Sequence, residues 1–92
     1  MVYLIIYECL SVEHNFCVTE EIKALSKDYQ HPASNTWFIV SELSLSEINE
    51  KLSAKIVSPN KERLMVIQIT SSVEYKGCMP KAMWRWLNRN LK

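Results

Sequence analysis

Ninety-two residues leave room for one compact domain and not for two separate cores, and 48% hydrophobic with 23% charged residues excludes a disordered tail. The single glycine, Gly77, excludes phosphate-cradling loops of the GxGxxG or GxxxxGK type. A formal net charge of +1 selects no partner by itself.

In chain order, Val2 to Cys9 (VYLIIYEC) is β-branched and aromatic and apolar on both faces until Glu8, the pattern of a central strand. Its apolar run is far short of the roughly 20 residues that cross a bilayer, so a soluble, unprocessed chain with no membrane partner is expected. A polar connection, Ser11 to Asn15, precedes a helix whose apolar stripe is Val18, Ile22, Leu25 and Tyr29. Gln30 to Ser34 contains Pro32 and fits only a short edge strand or a turn. Asn35 to Ser41 (NTWFIVS) predicts the second central strand. In LSLSE, Ser44 and Glu47 form a capping box and Leu43 can staple onto Ile48, opening a helix with Leu45, Ile48, Leu52 and Ile56 on its apolar face. Ser58, Pro59 and Asn60 break it. Arg63 to Thr70 is the last strand, with Leu64, Val66 and Gln68 on one face and Met65, Ile67 and Ile69 on the other. Pro80 opens a terminal helix reaching about Leu91.

This order predicts an α+β fold over 1–92: a ferredoxin-like βαββαβ sandwich with strands one and three central and an additional C-terminal basic helix at 79–92. Two internal helices cover one sheet face. The other needs the terminal helix or a second subunit, so a homodimer is expected.

Cys9, Cys17 and Cys78 are odd in number and widely spaced, which fits a reducing, cytoplasmic setting better than a disulfide framework. They and the two histidines, His14 and His31, lack the paired spacing of a zinc site. Cys9 and Cys17 read as small hydrophobes at the core edge, and His31 as a surface residue. Ser34, Asn35 and Thr36 read as turn chemistry, and Trp37 as core or dimer interface.

YLIIYE, HPASNTWFIV, LSLSEINEKL and PKAMWRWLNRNL together resemble the small SinR family proteins, relatives of the CRISPR-associated ferredoxin-fold endoribonuclease that partners the spacer integrase, and of the VapD family. The resemblance implies RNA or DNA as a substrate. It also implies an acidic residue at the end of strand one, paired across a dimer axis to hold Mg²⁺ or Mn²⁺ beside the scissile phosphate. That position is Glu8 here, where the nucleases carry aspartate, and the next acid, Glu13, is five residues on. Glu8 is therefore the candidate metal ligand and catalytic residue, and its alternative is a solvated carboxylate at a strand end.

The charge is polarised. Residues 76–92 carry Lys76, Lys81, Arg85, Arg89 and Lys92 with no acid, a local charge of +5, while 1–75 carry six basic and ten acidic residues, or −4. Lys81, Arg85 and Arg89 make a cationic helical stripe, Met83, Leu87 and Leu91 an apolar one, and Trp84 and Trp86 flank them. Rings beside cations suit single-stranded nucleic acid, packing against the sheet explains the same residues, and an acidic protein partner or second copy would also be attracted. Two functions follow: a nuclease-like protein that binds or cleaves RNA or DNA, or a non-catalytic interaction module using the open sheet face and the terminal helix.

Overall fold

The computed structural model describes residues 1–10, 12–70 and 73–91, the side chains of 12–15 excepted. Ser11 and Lys92 of the sequence reading, and the side chains of Glu13, His14 and Asn15, lie outside the described residues.

The elements are β1 (Val2–Cys9), α1 (Val12–Leu25), β2 (Asp28–Ala33), β3 (Thr36–Val40), α2 (Leu45–Ser53), β4 (Glu62–Ile69) and α3 (Lys81–Leu91). The strands form one sheet in the order β2-β3-β1-β4, every neighbouring pair antiparallel. This is the ferredoxin-like βαββαβ sandwich with a helix added at its C-terminal end, and β1 and β3 are central as their apolar sequences require.

Three boundaries differ from the sequence reading. The α1 backbone already starts at Val12, because residues 12–17 contain neither Gly nor Pro and polar side chains do not stop a helix. The edge strand β2 begins at Asp28, so Tyr29, expected on the α1 stripe, lies on β2 instead with its ring against Trp37, and the strand accommodates Pro32 through a register shift against β3 between Gln30 and Ala33. α2 ends at Ser53, before Ile56, because its last turn tightens: the Lys55 and Ile56 amides donate to Leu52 and Ser53 three residues back, at 3.0 and 3.1 Å. Ile56 still packs on the core.

Period-two alternation gives the sheet two different faces. Tyr3, Ile5 and Tyr7 of β1 and Trp37 and Ile39 of β3 meet Val18 and Ile22 of α1 and Ile48 and Leu52 of α2 in the main core. Trp37 is thus core, with His31 stacked on its outer side, ring centroids 3.5 Å apart. Cys9 sits at the core edge, whereas Cys17, expected there too, is exposed on α1. The capping box forms: the Glu47 amide donates to Ser44 Oγ, and the Ser44 amide to Glu47 Oε1, both at 3.2 Å.

The second core lies on the opposite face. There Met83, Trp86, Leu87 and Leu91 of α3 pack with Val2, against Phe38, Val40 and Ile69. The terminal helix therefore folds back over the face that the two internal helices leave open, and covers only part of it. No described helix is long and apolar enough to cross a membrane.

Candidate functional site

The uncovered part is read from the strand register. β1 pairs with β4 so that Val2 faces Ile69, Leu4 faces Ile67, Ile6 faces Met65 and Glu8 faces Arg63. On the other side Val2 faces Val40, Leu4 faces Phe38 and Ile6 faces Thr36. α3 closes the row Val40–Val2–Ile69 and reaches Phe38. Beyond it Leu4 and Ile6 stay half-buried, Ile67 is 40% exposed and Met65 56%. A short apolar surface thus runs along β1 and β4 and ends in an acid and a base, Glu8 and Arg63.

Glu8 is exposed. It lines one hollow with Leu10, Asn60, Lys61 and Arg63, and a second with Ile6, Arg63 and Met65. Its neighbours are thus cations and an amide more than other carboxylates. Among the described residues no three His, Cys, Asp or Glu side chains gather closely enough to hold a metal ion, and Glu8 is the one carboxylate among the residues lining the two hollows. Arg63 and Lys61 escaped the sequence reading. Counting back along an antiparallel β1–β4 pair from Glu8 would have found Arg63, but Lys61 and Asn60 sit in the irregular turn before β4, where no periodicity reports direction.

α3 divides the five residues proposed for partner binding. Trp86 is only 2% exposed, and its indole N–H donates to Asp28 Oδ2 of β2 at 2.9 Å. It is a packing residue and no stacking platform, because position 86 falls on the sheet-facing side with Met83 and Leu87. Arg89 reaches the same Asp28 oxygen at 3.4 Å. Lys81 and Arg85 remain exposed and Trp84 half-buried. Trp84 lies parallel to Tyr75, ring planes 7° apart and centroids at 6.0 Å, and the Tyr75 hydroxyl donates to Asn88 Oδ1 at 2.5 Å. Lys76 was visible in the sequence only as part of the basic tail, and Tyr75 gave no signal, since both lie in the irregular segment between β4 and α3. Between that segment and α3 opens a cleft of about 150 Å³, lined by Phe38, Tyr75, Lys76, Met79, Met83 and Trp84 among others.

No family model matches this chain, and no curated protein does. Among solved structures the chain is similar to a hypothetical protein, TT1823, from Thermus thermophilus, with a TM-score of 0.61 and 14% identity over 86% of this chain and 93% of that one. At that identity the likeness concerns the α+β fold.

Proposed function

We propose that this domain is a homodimeric docking module, joined to a second copy through the half of the sheet that α3 leaves open. The observation that supports the reading is the exposure of Met65 and Ile67 beside Leu4 and Ile6, a contiguous apolar surface bounded by Glu8 and Arg63. Large apolar side chains on a regular sheet face lose contact with water when another surface covers them, at about 25 cal/mol per Å². Each copy also brings one acid and one base to the end of the patch, so a two-fold arrangement satisfies both charges by exchange. Sedimentation equilibrium tests it: the wild type has twice the chain mass, and Met65→Asp, a change at an exposed position, gives a folded monomer. A wild type that stays monomeric at high micromolar concentration sinks the reading.

The nuclease reading is favoured by one observation, the placing of Glu8 beside Asn60, Lys61 and Arg63, where donors and cations suit a phosphate backbone. Since Glu8 is the one carboxylate lining these hollows, this reading depends on the dimer bringing a second Glu8 to share Mg²⁺ or Mn²⁺. Labelled single-stranded RNA should then be cleaved only with the metal, and both Glu8→Ala and Met65→Asp should abolish cleavage. Cleavage that survives Glu8→Ala removes this site, and no cleavage with either metal leaves the docking module.

A further inference from the structure

We propose that the cleft between residues 75–79 and α3 binds a flat aromatic ring carrying an anionic group, independently of the sheet-face dimer. At about 150 Å³ it is smaller than whole small-ligand sites of about 300–1000 Å³, so it takes one ring and leaves the attached anionic group at its mouth. Its lining supplies the two parts of such a ligand with matching surfaces. For the ring there are Phe38, the parallel pair Tyr75 and Trp84, and the polarisable side chains of Met79 and Met83. The Tyr75 hydroxyl is anchored on Asn88, which fixes one aromatic wall before any ligand arrives and lowers the entropy cost of binding.

For the anion there is Lys76, the one charged residue among those lining the cleft. Lys81 lies one helical turn before Trp84 and Arg85 directly follows it, both exposed. Residues 76–92 contain no acid. Of the nearby acids, Asp28 already receives Trp86 and Arg89, while Glu74 lines an adjacent hollow together with Val73, Tyr75 and Lys76. Lys76, Lys81 and Arg85 outnumber that one acid, and an anionic group on the ring gains an attraction that a neutral ring lacks.

A free nucleotide or aryl acid and one nucleotide of a single strand present the same chemistry. Isothermal titration calorimetry with adenosine, AMP and a short oligoadenylate separates the sources. AMP is expected to bind about fivefold more tightly than adenosine, the worth of one partly exposed ion pair. Lys76→Ala should erase that preference, Trp84→Ala should abolish binding of both, Trp84→Phe should retain it in part, and Met65→Asp should change nothing. Oligoadenylate no tighter than AMP assigns the cleft to free small ligands, and tighter binding that is lost in Trp84→Ala assigns it to a strand. Equal affinity for adenosine and AMP, binding unaffected by Trp84→Ala, or no binding of AMP and of naphthalene-1-sulfonate overturns the proposal.

Discussion

Glu62 is the one buried carboxylate among the described residues. It is 5% exposed, takes the Tyr7 hydroxyl on Oε1 at 2.5 Å, and takes the Val57 and Ser58 amides on Oε2 at 2.9 and 2.8 Å. One side chain thereby fixes the loop after α2 to the start of β4 and to the core. Burial first, and then the bond to Glu62, hold the Tyr7 phenol far above its ordinary value, so it stays a donor at any physiological pH. Glu62→Ala takes the carboxylate away from that phenol and from two amides and is expected to cost about 3 kcal/mol in denaturant unfolding, against about 1 kcal/mol for Tyr7→Phe. Nothing in the sequence marked Glu62, because a charged residue at a strand start reads as solvated until the loop that covers it is known. Glu47 is the opposite case, legible from LSLSE alone because a capping box is local. Its carboxyl is held below the ordinary 4.5 chiefly by the Ser44 backbone amide. A pKa lowered by folding means that the unfolded chain binds the proton more readily. The cap's contribution is complete above the ordinary value and is lost as pH falls through the lowered one. The helicity difference between wild type and Glu47→Gln should therefore shrink as pH falls below the ordinary 4.5.

At the scale of elements, α3 is held by two unequal forces. Met83, Trp86, Leu87 and Leu91 are buried, each worth about 1.5–3 kcal/mol, whereas the partly exposed Asp28 contacts are worth about 1–2 kcal/mol together. Apolar packing seats the helix, and Asp28 sets its position along β2. Asp28→Ala should thus lower stability by about 1–2 kcal/mol while α3 stays docked, with faster amide exchange confined to its last turn. Leu87→Ala should cost about 2–4 kcal/mol and loosen the whole helix. The amphipathic pattern of α3 was plain in its sequence, but the side of it to which Trp86 belongs was not, because Trp84 and Trp86 lie on either flank of the apolar stripe. Contact with β2 decides it, and the acceptor, Asp28, is 58 residues away.

For the whole molecule, the fold was readable because two strongly β segments, a boxed helix start and the alternation in β4 leave few ways to build one sheet. The surfaces were less readable: which half of the sheet α3 covers depends on the path of residues 70–80, where periodicity is absent. The patch that remains predicts a charge-reversal experiment. Arg63→Glu places two like charges at the end of each dimer contact and should weaken association about fivefold, and adding Glu8→Arg should restore it. Analytical ultracentrifugation over a concentration series reads both steps, and the melting temperature of the wild type should rise with protein concentration.

The two margins of the sheet have unequal fates in assembly. β2 carries Pro32 and a broken register and is clasped by α3 through Asp28, while β4 runs eight residues as the other edge strand. A molecule with two receptive margins can add copies head to tail without limit, as fibres do. With one margin blunted, copies have no pair of receptive edges along which to chain without limit, so a dimer joined through its sheet faces stays a pair. Pro32 and the Asp28 clasp thus guard the face-joined pair against edge-to-edge growth.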